Sequence, residues 1–215
     1  MEAMIPATRA SAFACPIEWG FAARAIGGET ESGDLHFVAT HAGGVLVAVI
    51  DGLGHGPEAA LASRLAAATL DEHLGESVTA LMAHCHAALQ RTRGAVLSLA
   101  SIESDGREMT WLGVGNVDAT LHRAGSARHQ RESLHHRGGV VGYQLPPLRA
   151  ATLALDPGDM LVLATDGIAG TFNSASPVGW HPQDAADHIL RLHGKDTDDA
   201  LVLVARTIGD QPWPA

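Results

Sequence analysis

The 215 residues are 46% hydrophobic and only 18% charged, which suits one large domain with a substantial core and excludes a disordered chain. A formal net charge of -10 excludes broad binding to nucleic-acid phosphates or anionic membrane surfaces, because no basic excess is present to displace counterions. Two cysteines in unlike contexts, Cys15 and Cys85, give no disulfide framework, and with no signal-peptide pattern and no apolar stretch near the roughly 20 residues that span a bilayer, a soluble cytoplasmic protein is expected.

Residues 1–16 read as a loose N-terminal arm, followed by a single domain over 17–215. Ile17–Ile26 reads as a first strand. Asp34–Thr40 and Val45–Ile50 follow, joined by His41-Ala42-Gly43-Gly44, whose glycines suit a tight hairpin turn. Pro57 is a favourable first helical residue for Glu58–Leu74, a helix with Leu61, Leu65, Ala68 and Glu72 along one face. Ser77 is a plausible N-cap for a second helix to Thr92, with Leu81, Cys85 and Leu89 as its stripe. Both helices read as amphipathic covers for a sheet.

The chain then turns β-rich. Ala95–Ile102 and Met109–Val114 flank Asp105-Gly106, a strong turn signal, and Val117–His122 continues after Gly115-Asn116. Ala150–Leu155 and Met160–Thr165 flank Asp156-Pro157-Gly158-Asp159, with Pro and Gly at favoured central turn positions. A helix over 182–193 and a strand over Ala200–Arg206 complete the series. Strands that arrive mostly as hairpins, with helices inserted between them, indicate antiparallel sheets covered by helices, an α+β class.

The acidic residues sit at corresponding places in this pattern. With Ala42-Gly43 as a two-residue turn, residues whose numbers sum to 85 lie opposite each other, which sets Asp34 across from Asp51. Two apolar runs end in Asp51-Gly52 and Asp166-Gly167, and the final strand is preceded by Asp198-Asp199. Antiparallel neighbours gather these carboxylates at one end of the structure. Such a cluster favours hard divalent cations with oxygen ligands, Mg²⁺ or Mn²⁺, over a zinc cage of Cys and His. Gly52 lacks a Cβ, so its carbonyl can approach a metal closely. Two ions about 3.5–4 Å apart acidify a bridging water for in-line attack on phosphorus, chemistry that needs no Ser or Cys nucleophile. Each signal alone also has an ordinary explanation, since Asp before Gly is common at strand-ending turns and an acidic pair often lies in a solvated loop. Their coincidence at matching strand ends carries the reading.

Gly33-Asp34, Val49-Ile50-Asp51-Gly52-Leu53-Gly54-His55-Gly56, Leu163-Ala164-Thr165-Asp166-Gly167-Ile168 and Asp198-Asp199 resemble, in order and spacing, the PPM-type metal-dependent phosphatases. The likeness covers roughly residues 17–208 and is similar to the bacterial SpoIIE-like branch, in particular its short RsbX group, which Arg93-Gly94-Ala95 and Gly113-Val114-Gly115-Asn116-Val117 also resemble. The resemblance implies a four-layer αββα sandwich, two stacked antiparallel sheets between helix pairs, and two Mn²⁺ or Mg²⁺ ions. It implies that Asp51 bridges both ions, the Gly52 carbonyl binds one, Asp166 and Asp198 bind the other, and Asp34 holds metal-bound water. Asp199 is not expected to be a ligand. It further implies a serine/threonine phosphoprotein substrate, of the STAS-domain kind found in stressosome and partner-switching pathways. Two positions depart from the pattern: Val96 and Ala200-Leu201 stand where many relatives carry a threonine hydroxyl.

His55 reads as a proton donor to the leaving serine oxygen, as a group that positions substrate, or as a loop residue that tolerates an unusual backbone angle or packs on the helix start. Asn116 reads as a turn residue, and Trp111 and Trp180 as packing. The thirteen histidines are scattered, and on a helix His84 and His86 point to different faces. Two other functions fit parts of the pattern. Gly52-Leu53-Gly54-His55-Gly56-Pro57 is an imperfect dinucleotide-binding fingerprint, whose Asp51 would set a negative charge beside a pyrophosphate. Without the hydroxyls lost at 96 and 201, the same fold can serve as a non-catalytic module that docks a scaffold protein.

Overall fold

The computed structural model describes residues 15–125, 130–174 and 176–208. In chain order its strands are β1 (Ile17–Arg24), β2 (Asp34–His41), β3 (Gly44–Gly52), β4 (Ala95–Glu103), β5 (Glu108–Val114), β6 (Asp118–His122), β7 (Arg131–Leu134), β8 (Ala151–Ala154), β9 (Met160–Ala164) and β10 (Ala200–Thr207). The helices are α1 (Pro57–Glu72), α2 (Val78–Leu89) and α3 (Pro182–His193). Most of the expected N-terminal arm and the last seven residues lie outside the described residues. The end of that arm is tied in: Pro16 O accepts from Ile208 N at 3.0 Å.

The strands form two five-stranded sheets, ordered β2-β3-β4-β5-β8 and β1-β10-β9-β6-β7, and all of these strand pairs are antiparallel. That arrangement disposes of the dinucleotide reading, which needs a parallel βαβ unit. α1 and α2 pack on the first sheet and α3 on the second, so the layers run α-β-β-α as expected. The second outer layer is one long helix with a short 3-10 turn at Gly170–Ser174, however, and not a pair.

β3 shows why the middle of the molecule is so apolar. Val45, Val47 and Val49 point between the sheets, while Leu46, Ala48 and Ile50 point at α1 and α2, all of them at most 1% exposed. A strand buried on both faces reads as an unbroken hydrophobic run, and each of its valine, leucine and isoleucine side chains contributes about 1.5–3 kcal/mol by leaving water. β10 does the same for the second sheet: Leu201 and Leu203 face the inter-sheet core, and Val202 and Val204 face α3.

Two expectations are corrected, and β7 is a strand that the sequence did not indicate. The face of α1 carrying Leu61, Leu65, Ala68 and Glu72 is the solvent face; Leu61 is 55% exposed, and Ala59, Ala62 and Ala66 are buried instead. Small residues win because α1 lies against the end of β3, where a Cβ on Gly52 would stand 2.2 Å from Ala59 O. β8 and β9 are not a hairpin. The turn at 156–159 carries the chain from one sheet to the other, and Asp159 is a buried staple that accepts from Asp156 N, Ala124 N and Arg123 Nη1. β7 had no apolar alternation to reveal it; its first three residues are exposed, and it forms as an edge strand on β6. The second helix keeps its expected cap and stripe: Ser77 Oγ accepts from Ala80 N, and Leu81, Cys85 and Leu89 are buried.

Candidate metal centre

The hairpin of β2 and β3 has the register that the turn arithmetic requires, with Asp34 directly opposite Asp51. In the other sheet β9 leads into Thr165-Asp166, and β10 begins just after Asp198-Asp199, with Ala164 paired to Val202. Thr165 N continues that ladder by donating to Leu201 O at 3.0 Å. The two strand-ending acids and the two strand-preceding acids therefore meet at one edge of the sandwich. Asp51, Asp166 and Asp198 line a single cleft of about 580 Å³, together with His55, Val96, Asn116 and Val140. Asp34 and Gly52 are buried just behind it.

The carboxylates grade from the interior outwards, Asp34 buried, Asp51 and Asp198 half-buried, Asp166 exposed. Burial pushes the Asp34 carboxyl up to about 7, against the Thr165 hydroxyl that favours its ionised form. Burial first, and then Asp34, Asp166, Asp198 and Asp199, push Asp51 up to about 8. Asp166 is raised by burial and by Asp198, opposed by Lys195 and Asn116. Lys195 Nζ is held on the Asp166 carbonyl at 2.6 Å. Lys195 apart, acids that raise one another in this way lack a counter-charge, and a hard cation among them would supply it. Among the described residues, no three of these acids bring their oxygens within 4.8 Å of one another.

The surrounding groups fix each acid. Thr165 Oγ donates to Asp34 Oδ2 at 2.7 Å and accepts from Leu201 N at 2.9 Å. Asn116 Nδ2 donates to Asp166 Oδ2 at 2.7 Å. Asn116 is thus more than the turn residue expected, and it reaches Asp166 because the chain crosses there from β5 to β6, between the two sheets. Asp199 spends one oxygen on Ile26 N and the other on Gly33 N, which pins the loop before Asp34. Gly33 O in turn accepts from Gly52 N and Ser63 Oγ. Gly167 has no room for a side chain, since its Cβ would stand 1.8 Å from Asp199 O.

His55 borders the cleft, and its Nδ1 lies 2.8 Å from Glu29 Oε1. An ionised carboxylate only accepts, so Nδ1 carries the proton and Nε2 is left for other partners. Glu29, Lys195 and Thr165 were not singled out by the sequence; each acts through a contact more than twenty-five residues away. Of the two departures, Val96 does border the cleft, while the Leu201 side chain points into the inter-sheet core. The Thr165 hydroxyl occupies the space between Leu201 N and Asp34.

The raised carboxyls have a consequence for stability. In the unfolded chain Asp34 and Asp51 titrate near about 4. Between that value and the folded ones the native state holds protons that the unfolded chain has released, so stability falls as pH rises through this window. In chelator, the melting temperature is expected to drop from about pH 5 to about pH 8, and Mg²⁺ is expected to restore most at the upper end. A flat profile in chelator would remove the case for uncompensated charge.

The sequence model of the family Stage II sporulation protein E (SpoIIE) matches residues 41–208. The chain is 26% identical over 141 residues to the phosphoserine phosphatase RsbX of Bacillus subtilis (strain 168), covering 66% of this chain and 69% of that protein. It superposes with a TM-score of 0.79 on a chain from a structure of the bacterial stressosome, described as a modular system adapted to control secondary messenger signaling, at 28% identity over 88% of this chain and 99% of that one. RsbX solved in complex with magnesium superposes with a TM-score of 0.78, at 21% identity over 89% of this chain and 95% of that one.

Proposed function

The chain belongs to the Stage II sporulation protein E (SpoIIE) family, and from that premise we propose that it is a metal-dependent protein serine/threonine phosphatase acting in the cytoplasm. The observation that carries the reading is the cleft itself, where acids from two separate sheets converge with no lysine or arginine among its lining residues. The likeness to a phosphoserine phosphatase supports the reaction class.

Asp51, Asp166, Asp198 and the Gly52 carbonyl are the groups that would hold Mn²⁺ or Mg²⁺. Two such ions, when bound, supply a nucleophile at neutral pH and offset charge on the phosphoryl oxygens. The residues themselves do the positioning. Asn116 fixes the rotation of the Asp166 carboxylate, and Thr165 fixes that of Asp34. Asp34, a buried acceptor behind Asp51, orients and takes a proton from the attacking water. His55, held through Nδ1 by Glu29, presents Nε2 at the cleft, where its protonated form gives a proton to the departing serine or threonine oxygen. The substrates we propose are phosphorylated STAS-domain proteins of a stressosome or partner-switching pathway, a reading supported by the likeness to RsbX and to the stressosome chain.

The test is hydrolysis of p-nitrophenyl phosphate and of a phosphoserine protein. Activity is expected with Mn²⁺ or Mg²⁺ and is expected to vanish in chelator. Robust turnover that chelator leaves untouched would overturn the reading, and metal-replete protein without turnover would revive the non-catalytic docking module.

A further inference from the structure

The end of α1 remote from the cleft carries a second set of ligating side chains. α1 has 16 residues, about 24 Å at ~1.5 Å per residue, so its C-terminal cap, His73, stands far from Asp51. The chain turns sharply there. Gly75 takes φ 99, Glu76 N donates to His73 O at 3.1 Å, and Ser77 caps the start of α2. This brings Glu76 back onto His73, and the second turn of α2 brings up His84. Glu76 Oε1 lies 3.1 Å from His73 Nδ1, and Oε2 lies 3.0 Å from His84 Nε2. The two imidazoles stack with centroids 3.7 Å apart and planes 2° from parallel. Among the described residues, this group brings one ligand atom from each of its three side chains within 4.8 Å of the others.

We propose that His73, Glu76 and His84 form a site for a borderline transition-metal ion, with Zn²⁺ as its representative. Two imidazole nitrogens and one carboxylate oxygen are a donor set that Zn²⁺ takes at about 2.0–2.2 Å, with water completing the tetrahedron. Mg²⁺ and Mn²⁺ prefer oxygen donors, so ligand softness separates this site from the aspartate cleft. The carboxylate already collects both rings: His73 first, and then His84, hold Glu76 ionised below its usual range. The ion therefore meets ligands gathered in advance, which lowers the entropic cost of binding. Modest rotation of the rings points both lone pairs at one place, and each neutral imidazole moves its proton to the far nitrogen without net proton loss. The bound ion ties the last turn of α1 to α2. The helical pairing of His84 with His86 could not show this, because the partner of His84 comes from the other side of the turn.

Zn²⁺ titrated calorimetrically into the full chain, with Mg²⁺ saturating, tests the site. The parent is expected to bind one Zn²⁺ more than His84→Ala or His73→Ala, while His188→Ala matches the parent. Zn²⁺ is expected to raise the melting temperature of the parent and to leave that of His84→Ala unmoved. Glu76→Gln, which preserves the shape of the turn, is expected to lose the same equivalent, and far-UV circular dichroism establishes that each variant is folded. Equal Zn²⁺ stoichiometry and affinity in the parent and in folded His84→Ala would overturn the proposal, as would a parent that takes up no Zn²⁺.

Discussion

Asp51→Asn is expected to lose about three orders of magnitude or more in kcat/KM for p-nitrophenyl phosphate, and to unfold at a higher temperature than the parent in chelator. The two effects have one cause. Asparagine keeps the size and shape of the side chain but removes the charge that faces Asp34 across the hairpin and sits with Asp166 and Asp198 around the cleft. Without cations that charge is a liability, as its upward-shifted carboxyl records. With cations, on the proposed reading, it would serve both ions, and its loss is expected to remove roughly 4 kcal/mol of transition-state stabilisation, about three decades in rate. Turnover near that of the parent in Asp51→Asn, measured at saturating Mn²⁺, would discard the bridging role. A fall in melting temperature in chelator would show that the acid is structural.

The second large effect is expected at a residue with no side chain. In Gly52→Ala the new methyl group would meet Ala59 O at 2.2 Å and Ser63 Oγ at 2.8 Å. The first contact is helix backbone, so rotating a side chain cannot relieve it; α1 must move off the end of β3. Overpacking of this kind costs about 1–3 kcal/mol and more when backbone must shift, and here the upper end or beyond is expected. The same displacement breaks the bond from Ser63 Oγ to Gly33 O, which holds the residue before Asp34. Gly27→Ala, where nothing lies within 4 Å of the added carbon, is the control, expected to stay within about 0.5 kcal/mol. Chemical denaturation of the two variants makes the comparison, and a Gly52→Ala variant as stable as the control would mean that α1 has slack at this point.

The acids were legible in the sequence because each abuts a run of β-forming apolar residues, so its place at a strand end follows from local pattern alone. Asp34 and Asp51 were legible as a pair, since a two-residue turn leaves one register, and that register is the one observed. Asn116 was not legible. Its contact with Asp166 depends on the chain leaving β5 for the opposite sheet, and neither turn chemistry nor periodicity says which sheet a strand will join. The same blindness turned β8 and β9 into a hairpin, although their connecting turn has ordinary hairpin chemistry. α1 was misjudged for a different reason. Leucine spacing identifies a stripe, but which stripe is buried depends on how closely the helix axis approaches the sheet, and Gly52 and Ala59 set that distance. The fold class came from local pattern; what surrounds each acid came from topology.

Asp34 and Asp51 hang from one sheet, Asp166 and Asp198 from the other, so neither half of the molecule owns a working set of acids. On the proposed reading, a chain whose last strand has not yet slotted between β1 and β9 would lack Asp198 at the cleft, and with it a complete set of acids.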